Sequence, residues 1–259
     1  MATNLVIGYA EIPQASVTTT VSHPSSSNYP IENLWGGNKT DGYIMQPERN
    51  SFYVKFDLST SPRVADFVFM SKASEFCNEV ASSFTIRAGS NSTHTSNPVV
   101  VACSNAQISS DLCGPEQEEF ISLFPQTGAH RYWSVEYANT SGAAVSSFAH
   151  SKLFIGKAFD PGMDPNAPAT ITRFRTGGFR RKSTFSFSFS WEGMRYDKAV
   201  EMYTLFYLTK RYQPLVIFTR DWHDILMGNR AMLCRITEMS LPPRITDYCD
   251  VSATFEELI

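Results

Sequence analysis

Ser183–Trp191 reads STFSFSFSW. Its aromatic residues recur at every second position, so Phe185, Phe187, Phe189 and Trp191 share one face of an extended strand. Thr184, Ser186, Ser188 and Ser190 share the other. A helix, with its period of 3.6, would spread these rings around its circumference. The stretch therefore predicts a strand that covers a core on one side and shows small hydroxyls on the other.

Downstream, Asp197–Arg211 (DKAVEMYTLFYLTKR) predicts the one good helix. Asp197 can cap its first turn, and Lys210 and Arg211 stand where the helix dipole favours cations. Val200, Tyr203, Phe206 and Tyr207 form a stripe at roughly helical spacing and are expected to face the core. Pro214 stops the helix, and strands are predicted at Leu215–Thr219, Arg230–Ile236 and Asp250–Phe255, with Pro242-Pro243 between the last two. An aromatic strand, a helix and further strands describe a small α+β unit.

Upstream the composition differs. Polar clusters such as SHPSSSNYP and AGSNSTHTSNP separate short apolar runs at Ser51–Leu58, Ala65–Met70, Ser83–Arg87 and Tyr132–Tyr137. Short strands with polar turns between them predict an antiparallel β-sandwich, with Tyr132 and Trp133 in its core. Between the halves lies Asp160–Pro168, DPGMDPNAP, whose three prolines disfavour both helix and strand. The expected division is a sandwich over 1–159, a linker over 160–169 and a second domain over 170–259. Charge agrees: residues 1–150 hold 7 Lys+Arg against 13 Asp+Glu, and residues 151–259 hold 15 against 12. The fold class expected is thus mainly β, a jelly-roll sandwich followed by a small α+β domain.

Residues expected to carry chemistry are sparse. The five histidines are scattered, and neither HExxH nor GxSxG occurs, so no catalytic residue is assigned and no enzyme is expected. Five cysteines at irregular spacing, with no CxxC pair, argue against zinc or redox chemistry. Cys103 and Cys113 are close enough in sequence for a loop disulfide, but free thiols are the expectation. Asp221-Trp222-His223-Asp224 reads as a turn with Trp222 packed down rather than as a metal or acid–base site. Asp41 and Asp57 offer oxygens to calcium without an EF-hand loop, so neither a metal nor a cofactor is assigned. No apolar run is long enough to span a bilayer, and MATNLVIGYAEIPQAS lacks the marks of a signal peptide, so a cytoplasmic origin is expected. Arg173–Lys182 (RFRTGGFRRK) is the most basic stretch, with Arg173, Arg175, Arg180, Arg181 and Lys182. It reads as a loop that meets either phosphate or an acidic neighbouring subunit, and the slightly acidic chain favours the subunit.

These segments bring two families into view. SSSNYPIENLWGG (Ser25–Gly37), FYVKFDL (Phe52–Leu58), SFTIRAGS (Ser83–Ser90), HRYWSVEY (His130–Tyr137) and KLFIG (Lys152–Gly156) together resemble a discoidin-type, galactose-binding-like domain. The resemblance implies an eight-stranded jelly roll whose loops at one end often bind sugars or lipid headgroups, with Trp35, Asn38 and Asp41 as ligand-face candidates. The second half is similar to the minor tail proteins of lambda-like bacteriophages and to the ring domain of distal tail proteins. That likeness rests on STFSFSFSW, on DKAVEMYTLFYLTKRYQPLVIF and on the ending MLCRITEMSLPPRITDYCDVSATFEEL. It implies a tail-tube-like module forming a ring of three or six subunits below the tail tube. Other tail proteins would lie above and below, DNA would pass through the lumen, and a host surface glycan would be within reach of the sandwich. The reading is then a structural component of a virion tail tip, assembled in the host cytoplasm and independent of membranes. The alternative is a carbohydrate-binding module with an accessory domain.

Overall fold

The computed structural model describes residues 5–9, 18–21, 43–44, 51–72, 83–103, 119–138, 149–166, 170–175, 183–209, 213–219, 231–241 and 246–258. Among them the first ten strands are β1 (Leu5–Tyr9), β2 (Thr18–Val21), β3 (Tyr43–Ile44), β4 (Ser51–Asp57), β5 (Phe67–Lys72), β6 (Ser83–Gly89), β7 (Val99–Cys103), β8 (Glu119–Leu123), β9 (Tyr132–Ala138) and β10 (Ala149–Phe159). Then come β11 (Thr170–Arg175), β12 (Ser183–Arg195), helix α1 (Tyr196–Thr209), β13 (Leu215–Thr219), β14 (Ala231–Ser240) and β15 (Tyr248–Glu257). The protein is mainly β, and the chain divides into two compact units: 11–156, and 1–10 together with 157–259.

In the unit of 11–156, a five-stranded antiparallel sheet runs in the order β2-β4-β9-β6-β7. A second antiparallel set is built from β3, the Ala149–Gly156 part of β10, β5 and β8. This is the sandwich expected from the alternating runs. Along β4 and β9 alternate residues supply the core, Val54 and Phe56, then Trp133 and Val135, with Ser134 between the last two buried as well. Phe67–Met70 and Lys152–Ile155 are buried without alternation, as in strands enclosed on both faces. Each fully buried apolar side chain contributes roughly 1.5–3 kcal/mol, so these strands carry the unit's stability. Tyr132 is half-buried instead of joining the core, because neighbours in a strand point to opposite faces and Trp133 takes the inward one.

The other unit has the strand order β11-β12-β15-β14-β13-β1, with Lys157–Phe159 of β10 beside β1. Phe187, Phe189 and Trp191 are buried as the alternation predicts, while Ser186 and Ser188 are half-buried and Ser190 exposed. Beyond Trp191 a bulge interrupts the β12–β15 register. Gly193 there has φ +71°, and its N–H donates to Asp250 Oδ1 at 2.9 Å. The extra residue shifts the parity, so Met194 is buried on the same side as Trp191.

Helix α1 buries Ala199, Met202 and Leu205 against the aromatic sheet face, with Phe206 packed at the edge. The expected stripe is corrected: Val200 and Tyr203 are each 38% exposed and Tyr207 71%. The helix has two apolar stripes one position apart. The compact Ala–Met–Leu stripe lets it approach the flat rings of Phe187 and Phe189 closely, and the tyrosines tolerate water through their hydroxyls.

The unit boundaries also differ from the expected division. β1 lies within the second unit, pairing with β13 from Leu5↔Thr219 to Gly8↔Val216, and Leu5–Ile7 are completely buried. Residues 160–166 of the expected linker pack there too. Pro161 and Pro165 are buried, Leu5 N–H donates to Asp164 Oδ1 at 3.3 Å, and Asn166 N–H donates to the Ser190 carbonyl at 2.7 Å. Prolines break regular structure, but a segment with no regular structure can still be packed.

Candidate functional site

With Val54 and Phe56 turned into the sandwich core, Tyr53, Lys55 and Asp57 stand on the opposite face of β4. The same parity places Tyr132, Ser134 and Glu136 of β9 and Thr85, Arg87 and Gly89 of β6 on that face. Register aligns them in rows across the three strands: Asp57–Tyr132–Gly89, Lys55–Ser134–Arg87 and Tyr53–Glu136–Thr85.

Residues 90–98 between β6 and β7 fold back over this face. Asn97, 5% exposed, pins them: its Nδ2 donates to the Asn91 carbonyl at 2.8 Å, and Asn91 N–H donates to its Oδ1 at 3.1 Å. Arg87 Nη1 donates to the Asn97 carbonyl at 3.1 Å. A single 3-10 turn, His94–Ser96, then sets the His94 ring 4.2 Å from the Tyr53 ring. Between this loop, β4, β9 and Thr20 of β2 lies a recess of about 180 Å³, lined by Lys55, Asp57, Ser92, His94, Asn97 and Tyr132, with Phe56 and Trp133 completing it.

Asp57 is already engaged. Arg131 donates to both its oxygens, Nε to Oδ1 at 2.7 Å and Nη2 to Oδ2 at 2.9 Å, and Ser59 N–H adds a third bond at 2.8 Å. Hydrogen bonding from Arg131 holds the Asp57 carboxyl below its usual range, and the pair keeps Arg131 charged. The guanidinium also lies 4.8 Å from the Tyr132 ring centre and supports that ring. Burial pushes His94 below the usual histidine value, with Lys55 and Arg87 acting in the same direction and Glu136 against them. At neutral pH the ring is therefore uncharged, with one donor and one acceptor nitrogen. Lys55 Nζ sits 5.3 Å from the Tyr53 ring centre.

The recess thus combines an ammonium group, an arginine-paired carboxylate, two hydroxyl side chains, a neutral imidazole, an amide and a phenol. Among the described residues no group of three His, Cys, Asp or Glu could hold a metal ion. The lining offers hydrogen bonds and ring surface to a small polar molecule with many hydroxyls.

The residues singled out from the sequence are distributed differently. Trp35, Asn38 and Asp41, like Arg180, Arg181, Lys182 and the Asp221–Asp224 cluster, lie outside the described residues. Arg173 and Arg175 belong to β11, opposite Phe185 and Ser183, so this part of the basic stretch is strand and not loop. Asp57, weighed as a calcium ligand, has both oxygens committed to Arg131. Cys234 and Cys249 are free thiols, the first buried and the second with its pKa raised, mainly by burial. Sequence reading overlooked Lys55, Ser92, His94 and Asn97. A signal existed in FYVKFDL, whose lysine and aspartate occupy the positions that alternation turns away from the core.

No family model matches the sequence, and no curated protein matches it. Several solved structures resemble part of it. Chitosan-binding module 1 of a chitosanase/glucanase from Paenibacillus sp. IK-5 is 13% identical, with a TM-score of 0.41 over 54% of this chain and 94% of the module. The CBM32-1 and CBM32-2 domains of Clostridium perfringens ZmpB are 10% identical, with a TM-score of 0.44 over 61% of this chain and 41% of theirs. A Ruminococcus gnavus GH29 fucosidase in complex with fucose is 11% identical, with a TM-score of 0.44 over 56% of this chain and 26% of its own. At such identities and scores these likenesses assign no ligand here.

Proposed function

We propose that this chain is a non-catalytic binding protein whose sandwich unit takes a saccharide in the recess over β4 and β9, and whose second unit carries it. The observation behind this reading is the lining itself. Donors and acceptors from Lys55, Ser92, His94 and Thr20 surround an open cavity beside Tyr132, which Arg131 holds in place. Sugar hydroxyls both donate and accept, and their C–H faces pack on aromatic surface, so mixed polar groups next to a fixed ring match them. The test is calorimetric titration of the full chain with a panel of neutral and acidic oligosaccharides, beside His94→Ala and Tyr132→Ala. Saturable binding that both variants weaken is expected; a panel without a single binder refutes the reading.

A second reading, a ring-forming component of a bacteriophage tail tip, requires a self-associating surface, for which the other unit has candidates. β11 ends its strand order with β12 as its one described partner, which leaves an edge open to a neighbouring strand. Val200, Tyr203 and Tyr207 meanwhile present exposed apolar surface on α1. Light scattering of the purified chain at three or six times the monomer mass would favour this reading, and disruption of those assemblies by Arg180→Glu with Arg181→Glu would tie them to the basic stretch. A strict monomer at high concentration would refute it.

A further inference from the structure

We propose that the recess prefers an acidic saccharide, with the sugar's anionic group, a carboxylate or sulfate, held against Lys55. This rests on the saccharide reading and narrows it. Lys55, Ser134 and Arg87 form the middle row of the face. Ser134 is 1% exposed, and neither its Oγ nor the buried Arg87 Nε has a hydrogen-bond partner. Buried polar groups nearly always find one, so among the described residues this row offers the cationic Arg87 Nε no acceptor. Lys55 stands beside them. Its ammonium is set over the Tyr53 ring, and no ion pair joins it to a described carboxylate.

Two carboxylates share the face. Asp57 is neutralised by the two-pronged contact with Arg131. Glu136 lies one row away, between Tyr53 and Thr85, and forms no ion pair with Lys55 or Arg87. Lys55, Arg87 and Arg131 therefore exceed Asp57 and Glu136 by one positive charge, in a stretch of chain that is acidic as a whole: residues 1–150 hold 7 Lys+Arg against 13 Asp+Glu. Arg87 is half-buried outside the lining and acts through its field, and Ser134 lies covered between it and Lys55. Lys55 lines the opening and makes the contact. With the Asp57 carboxylate offset by Arg131, the Lys55 ammonium is the uncompensated charge of the lining, and a half-enclosed cavity concentrates its field and attracts the opposite ion.

The test titrates the full chain with three ligands of equal length: an oligogalacturonate, its neutral methyl ester and a sulfated oligogalactose. At about 50 mM salt an anionic ligand should bind roughly tenfold more tightly than the neutral one, the scale of one charge-assisted contact, and the gap should narrow as salt rises. Which anionic ligand shows the preference distinguishes carboxylate from sulfate. Lys55→Gln should reduce that preference severalfold at unchanged melting temperature, and Glu136→Gln should increase it. Equal affinity for charged and neutral ligands overturns the inference and leaves the saccharide reading standing. A preference that survives Lys55→Gln overturns the assignment to this row, and an absence of binding to all three overturns both.

Discussion

Gly89 is the position where a single methyl group should do most damage to the recess. It lies opposite Tyr132, and a Cβ built there stands 2.2 Å from Asn97 Oδ1, 2.7 Å from its Cγ and 3.1 Å from its Cβ. The φ of Gly89 is not in the left-handed region, so the requirement is space rather than backbone freedom. In Gly89→Ala the buried amide of Asn97 has to leave, breaking both of its bonds to Asn91. Two such bonds at about 1 kcal/mol each, with overpacking of about 1–2 kcal/mol, give a loss of roughly 3–4 kcal/mol. For a domain of this size that lowers the melting temperature by about 6–16 °C. Calorimetry of the full chain measures it, and hydrogen exchange at the Asn91 amide should accelerate together with the melting change. Combining the change with Asn97→Ala separates clash from strain. With the amide gone, Gly89→Ala should cost less than half of its value in the wild-type background. A variant that melts within about 1 °C of wild type, or fully additive costs, would mean that Asn97 does not exclude a side chain at residue 89.

Other positions test the remaining elements. Trp133→Ala should cost about 3–5 kcal/mol or abolish soluble protein, while Tyr132→Ala should cost distinctly less and act chiefly on ligand affinity, as thermal melts beside titrations would show. On α1, Met202→Ala should lose about 2–5 kcal/mol while Tyr207→Ser stays within about 0.5 kcal/mol of wild type in denaturant unfolding; the reverse ranking would return the helix to its other face. The Asp57 carboxyl is depressed by Arg131, so its contribution is present above the unfolded value near 4 and is lost as pH falls through the lower folded value. Asp57→Asn should therefore lower the melting temperature slightly and evenly from about pH 7 down to about pH 4, and the gap should close at lower pH.

Local periodicity revealed much of the fold. The alternation of Ser183–Trp191 and of Phe52–Leu58 made those strands plain, because one buried face imposes a period of two whatever the partner. Leu215–Thr219 carried its signal in five apolar residues and came out with the same bounds. Helix α1 was legible as a helix but not in its orientation, since two apolar stripes compete and the choice depends on the sheet it meets. The place of β1 was hidden because LVIGY is equally suited to any buried sheet, and nothing in five residues names β13 as its partner. The recess was hidden for a similar reason. Its residues come from β2, β4, β9 and the loop after β6, and only strand register brings Lys55, His94 and Tyr132 together.

The pairing of Leu5 with Thr219 has a consequence for how the protein is made. A ribosome delivers LVIGY ahead of the sandwich and its partner β13 only after residues 11–156 have all emerged. The sandwich can close during that interval, while β1 waits unpaired. An uncharged apolar strand with a free edge is the kind of segment that pairs with copies of itself. A chain halted between residues 160 and 210 would hold a finished sandwich joined to an open seam, and on crowded polysomes it is that seam which would need a chaperone.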